Sequence, residues 1–192
     1  MEQSKFPALF KAIESCRRCP LYQEANHAVP GEGSLKAKIM FIGEAPGRKE
    51  DQTGRPFVGA AGKLLEAMLA SIDMKREDVY ITSILKHRPP NNRDPKPQEI
   101  QACVVYLDEQ MELIKPSLIV ALGRHALNYF LPQAKISEVH GKTQFFQKKD
   151  GAKQLLLPIY HPASALYDPR LRQVLFDDIK MIPEIIAKKS KK

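Results

Sequence analysis

Four short apolar runs rich in β-branched residues, each closed by a turn residue or polar group and divided from the next by a helix-like stretch, limit what this chain can fold into. The runs are Lys38 to Ile42, Val79 to Leu85, Leu118 to Leu122 and Leu155 to Tyr160. Helices are expected near Phe6 to Ser15, Ala60 to Ser71, Pro97 to Ile114, Arg124 to Leu131 and Leu171 to Ala187. This alternation predicts an α/β protein with a mainly parallel sheet. In the helix from Pro97, the residues Ile100, Val104, Leu107, Met111 and Ile114 repeat at helical spacing and mark a core face, with Asp94 placed to cap it. The stretch Arg88-Pro-Pro-Asn-Asn-Arg-Asp-Pro-Lys-Pro97 joins no regular element, because proline lacks an N–H and restricts its predecessor. It is a loop, ordered or flexible.

With 192 residues and 43% apolar content, one domain over 1–192 has enough chain to bury a core. No run approaches the ~20 apolar residues of a membrane span, and the start lacks the order of a secretory signal. A cytosolic or nucleoid-associated monomer with no membrane partner is therefore expected. Thirty Lys plus Arg against 22 Asp plus Glu leaves +8 and a pI near 9.4, which points to polyanionic partners. The same balance occurs in proteins that never touch nucleic acid. Lys188 to Lys192, moreover, holds four of those charges in a stretch expected to be a disordered tail.

Ligands of an open parallel sheet bind beyond the carboxyl ends of its strands. Polar clusters fall at all four expected ends: Gly43-Glu-Ala-Pro-Gly47, Ser83 to Arg88, Gly123-Arg-His125 and His161-Pro-Ala163. His125 and His140 are read as structural.

The chain has three cysteines, two of them in Cys16-Arg-Arg-Cys19. Three thiols do not make a disulfide framework, and a redox pair would sit at a strand-to-helix junction rather than before the first strand. With His87 and Cys103 the pair completes a donor set suited to zinc or to an iron-sulfur cluster. Taken singly, Cys103 equally suits a buried core thiol and His87 a surface position.

The block Gly43-Glu-Ala-Pro-Gly-Arg-Lys-Glu-Asp51, then Thr53-Gly-Arg-Pro-Phe-Val-Gly-Ala-Ala-Gly62, Val79-Tyr-Ile-Thr82, Arg88-Pro-Pro90 and His161-Pro-Ala163, resembles the iron-sulfur uracil-DNA glycosylases of family 4. The resemblance runs from Cys16 to about Lys180. It implies a three-layer α/β/α fold with a central four-stranded parallel sheet, and a 4Fe-4S cluster on Cys16, Cys19, His87 and Cys103, with zinc as the alternative. The implied substrate is uracil-containing DNA, whose deoxyuridine N-glycosidic bond is hydrolysed to leave an abasic site. Glu44 resembles the acid that positions the attacking water, and His161 the donor to uracil O2. Phe57 resembles the aromatic that stacks on the flipped base, and Gly43 and Ala45 the backbone facing the O2 side. Leu166 resembles the wedge that enters the stack.

Heterolysis leaves positive charge on the sugar and negative charge on the base, so a carboxylate and a preorganised donor suit the two ends of the bond. Singly, Glu44, His161 and Phe57 each suit a capping or core role. Phosphate contacts are expected from Lys86, Arg88, Arg93, Arg124, Lys142 and Ser164. Without a lysine poised for a Schiff base, strand cleavage is not expected.

Two positions depart from the family pattern, which has cysteine at His87 and asparagine at Ser83. The Lys86-His87 pair also resembles a branch that is trapped covalently on uracil-DNA. That branch carries Gln at Ala45 and a long basic insert, which this chain lacks, so no adduct is expected. An asparagine amide reads uracil N3 and O4 together, whereas a serine hydroxyl reaches one atom or works through water. Altered base selectivity, or a cluster-bearing DNA-binding or damage-sensing protein of weak activity, is the alternative that Ser83 keeps open.

Overall fold

The computed structural model describes residues 5–189. Strands β1 (Glu32–Gly33), β2 (Ile39–Gly43), β3 (Tyr80–Ser83), β4 (Leu118–Leu122), β5 (Gln144–Gln147) and β6 (Lys153–Ile159) form one sheet in the order β1-β3-β2-β4-β6-β5. The inner four, β3-β2-β4-β6, are parallel and correspond to the four expected runs. The edges β1 and β5 pair antiparallel and had no apolar run to announce them.

Successive strand residues face opposite sides of a sheet, and here both sides are covered. Ile39, Phe41, Val120 and Leu157 belong to one apolar layer, and Met40, Ile42, Ile119 and Leu156 to the other. The first layer is closed by α3 (Ala60–Ala70), α8 (Arg170–Ile179) and α9 (Met181–Lys189), which contribute Leu65, Met68, Leu175 and Ile182. The second is closed by α1 (Phe6–Glu14), α4 (Pro97–Ile114) and α5 (Gly123–Phe130), through Phe6, Cys103, Leu107 and Leu127. The result is the expected three-layer α/β/α arrangement. Every side chain of β4 is at most 1% exposed, and each large one contributes about 1.5–3 kcal/mol by its burial.

Three expectations are corrected. The last helix is two helices, because Pro183 has no N–H to give the Ile179 carbonyl one turn earlier. Lys188 is not in a disordered tail but lies in α9 and pairs with Glu184 at 2.6 Å, while residues 190–192 lie outside the described residues. Asp94 does not cap α4. Lys96 holds the cap position, and Glu99 reaches back to its N–H at 2.8 Å.

The chain runs from β2 to β3 on one side and then crosses to β4 on the other, so the strand order reverses between β2 and β4. At such a switch point the loops part and leave a crevice at the carboxyl edge. α2 (Arg48–Thr53), α5 and α7 (Ser164–Tyr167) follow β2, β4 and β6 around that edge.

Candidate active site

A cavity of about 300 Å³ opens at this edge, lined by Glu44, Ala45, Phe57, Ser83, His161 and Tyr167 among others. Gly43 and Ser83 are register partners at the ends of β2 and β3, which sets them side by side at its floor. Gly43 is where the Phe57 ring comes closest to the sheet: a Cβ there would lie 2.7 Å from Phe57 Cζ and 3.3 Å from Ser83 Oγ. No side chain fits between them.

Phe57 has φ +51°, a left-handed conformation that costs a non-glycine residue about 1–2 kcal/mol. Its loop is held from both sides. Arg76 donates to the Phe57 carbonyl at 2.9 Å and to the Pro56 carbonyl at 2.6 Å, and Glu50 accepts the N–H groups of Val58 and Gly59 at 2.8 Å each. These charge-assisted bonds offset the strain.

His161 stacks on Phe57, with ring centroids 5.6 Å apart and planes 30° from parallel. The Ala163 N–H donates to Nδ1 at 3.1 Å, so the ring's proton sits on Nε2. Burial pushes its pKa down to about 4, only partly opposed by Glu50, and the imidazole is a neutral donor at neutral pH. Gly123, with φ +86°, allows this placement, since a Cβ there would lie 2.8 Å from His161 Cβ.

Glu44 follows β2 directly. Burial raises its pKa, with Asp94 adding to the rise and His125 and Arg124 working against it. His125 Nε2 lies 3.7 Å from Glu44 Oε2 and 3.4 Å from Asp94 Oδ1. These three residues form the one set among those described whose ligand atoms fall within 4.8 Å of one another. Arg124 brings positive charge to that cluster, donating to Asp94 at 2.5 Å and to His125 Nε2 at 3.1 Å.

A second convergence lies behind β3. Cys103 is buried and accepts the Lys86 N–H at 3.2 Å, and burial pushes its thiol up to about 11, with Cys19 and Cys16 adding to the rise. Cys19 packs in the same apolar layer, while Cys16 and His87 line one shallow depression. All three thiols are free. Burial lowers the pKa of His87, which favours the neutral, ligand-competent ring.

Over residues 30–180 the sequence matches the model of the uracil DNA glycosylase superfamily. The chain belongs to that superfamily. It is 50% identical over 186 residues to the type-4 uracil-DNA glycosylase of Archaeoglobus fulgidus, covering 94% of this chain and 93% of that one. It is 42% identical over 178 residues to the type-4 enzyme of Thermotoga maritima, covering 92% of each. Similarity extends to a DNA polymerase of Bacillus phage SP01, 32% identical over 163 residues, which span 84% of this chain but 17% of that protein.

In this member of the uracil-DNA glycosylase superfamily, Gly43, Glu44, Ala45, Phe57, Ser83 and His161 gather around one cavity, although they come from four separate chain segments. The cationic residues behave differently. Lys86 is fully buried rather than facing phosphate, its Nζ donating to Thr82 Oγ1 at 2.7 Å, the Ser83 carbonyl at 2.8 Å and Gln110 Oε1 at 2.8 Å. Burial pushes its pKa down to about 7. Arg93 forms a two-point pair with Glu99, and half-buried Arg88 donates to Asn92. These bonds tie the Pro-rich loop to itself and to the start of α4. Lys142 is exposed with its ammonium on the Glu138 carbonyl, and both donors of Ser164 serve the His161 carbonyl. Leu166 and Tyr167 on α7 are 51% and 89% exposed. Among the described residues no helix is long and apolar enough to cross a membrane.

The sequence placed His125 at this edge and read it as structural, and read Asp94 as a helix cap; nothing in the sequence tied either residue to Glu44.

Proposed function

We propose that the chain is a monofunctional uracil-DNA glycosylase. The observation that carries this reading is that a carboxylate, Glu44, and a neutral imidazole with its proton on Nε2, His161, face one cavity beside the stacked ring of Phe57. A base reaches such a cavity only after leaving the duplex stack, at a cost of a few kcal/mol, which stacking on Phe57 and insertion of exposed Leu166 offset.

The C1′–N1 bond breaks with its electron pair on the base, and His161 Nε2–H donates to the oxygen where that charge gathers. A neutral donor suffices, because the base leaves as an anion. Glu44 stabilises the cationic sugar and orients a water whose oxygen bonds to C1′, taking up its proton. Ser83 Oγ, at the cavity floor, offers one hydrogen bond to the base edge.

The donor set Cys16, Cys19, His87 and Cys103 fits a 4Fe-4S cluster: three free thiols stand with an imidazole that burial keeps neutral, and bound iron would favour the thiolates of Cys103 and Cys19, whose pKa values burial raises. No three of the four have ligand atoms within 4.8 Å of one another, whereas sulfurs around one zinc stand ~3.8 Å apart, which favours the larger group. When bound, the cluster would supply a redox-active crosslink between the Cys16-Cys19 segment, the end of β3 and α4.

Excision assays on uracil-containing oligonucleotides, scored as abasic sites, test the reading. Glu44→Ala and His161→Ala are each expected to lose about 10²–10⁴-fold in rate. Tight binding without an abasic product from the unaltered protein would instead make it a sensor of damaged DNA.

A further inference from the structure

The carboxylate of Glu44 accepts no hydrogen bond from any described protein group, and its nearest ion-pair partner among those residues is His125, at 3.7 Å. That separation is too long for a direct hydrogen bond and leaves the carboxylate lone pairs open to water. His125 is itself fixed, being 20% exposed and wedged between Glu44 and Asp94, with Arg124 donating to its Nε2 at 3.1 Å. Three elements meet here: the end of β2 brings Glu44, the Pro-rich loop brings Asp94, and the first turn of α5 brings Arg124 and His125. Of these four side chains only Glu44 lines the cavity.

We infer that His125 is a positioning residue for Glu44, holding that carboxylate at the cavity wall from behind while leaving its oxygens free for the attacking water. The inference rests on the reading of Glu44 as the group that orients that water. His125 Nε2 has a donor on one side, Arg124, and two carboxylate oxygens on the other. His125 favours ionised Glu44, and Asp94 opposes it by like charge. On the cavity side the charged or titratable groups besides Glu44 are Glu50, Arg93, His161 and Tyr167, so the balance around Glu44 is set from both walls.

The test is the pH profile of single-turnover uracil excision for the full chain and for His125→Gln, Asp94→Asn and Glu44→Gln, with melting temperatures alongside. Removing His125 should lower the maximal single-turnover rate about 10- to 100-fold with the affinity for uracil-containing DNA unchanged, as misplacement of a reacting group does. It should also move the acid limb to higher pH. Asp94→Asn should move the same limb to lower pH, and a general loss of folding cannot produce opposite displacements. An inactive Glu44→Gln protein with unmoved acid limbs in the other two variants would overturn the role of His125 and leave the glycosylase reading intact. Wild-type excision by Glu44→Gln would overturn the water-orienting role of Glu44, and the role of His125 with it, while no excision by the natural chain would overturn the glycosylase reading itself.

Discussion

Acidification should destabilise this protein through one imidazole. The folded-state pKa of His161 is pushed down to about 4 from an ordinary 6.5, so between those values the unfolded chain binds a proton that the folded chain refuses. The slope of unfolding free energy with pH is then positive: the contribution is whole above 6.5, is lost as pH falls through the window, and is fully lost below about 4. The gap of about 2.5 on the pH scale corresponds to about 3 kcal/mol at ~1.4 kcal/mol for each tenfold change. Because one face of the ring meets solvent in the cavity, screening leaves about 2 kcal/mol. Urea unfolding of the natural chain and of His161→Asn at neutral pH and at about pH 4 isolates this share, since every other titrating group is common to both. The natural chain should lose about 2 kcal/mol more than the variant on acidification. Parallel losses would refute the burial argument for His161.

Ser83→Asn should raise uracil excision and its preference over hypoxanthine and xanthine by ~1–3 kcal/mol, read as kcat/KM on matched oligonucleotides; unchanged selectivity would remove Ser83 from base reading. Gly43→Ala places a Cβ 2.7 Å from Phe57 Cζ, so the ring must shift. A stability loss of about 1–3 kcal/mol by thermal melting, with a fall in excision, is expected, and neither effect would mean that the ring is free to move. Anaerobically purified protein should be brown with about four irons per chain, Cys103→Ala should bleach it, and His87→Cys should keep the iron but change the potential. A colourless, zinc-loaded protein would contradict the cluster assignment.

The parallel centre of the sheet was legible because β2 and β4 are buried on both faces and so read as unbroken apolar runs. The edges were not. β1 is two residues long, and β5 reads Gln-Phe-Phe-Gln, which carries no alternation. Within the site, Glu44, Phe57 and His161 came from motifs, and geometry added what makes them a constellation: the Ala163 N–H on Nδ1 and the Arg76 grip on the Phe57 loop. Lys86 was misread because a lysine at a loop end ordinarily faces solvent. Its three acceptors come from residues 82, 83 and 110, and nothing local in the sequence reveals that a glutamine on α4 will reach it.

The left-handed turn at Phe57 is stabilised by contacts wholly internal to the protein, so the aromatic wall stands before any nucleic acid arrives. With Phe57 as the proposed base platform, discrimination would work like a gauge: a nucleobase would either enter a shape already cut or be turned back, and the search along a strand would not pause for the protein to remould itself at each nucleotide.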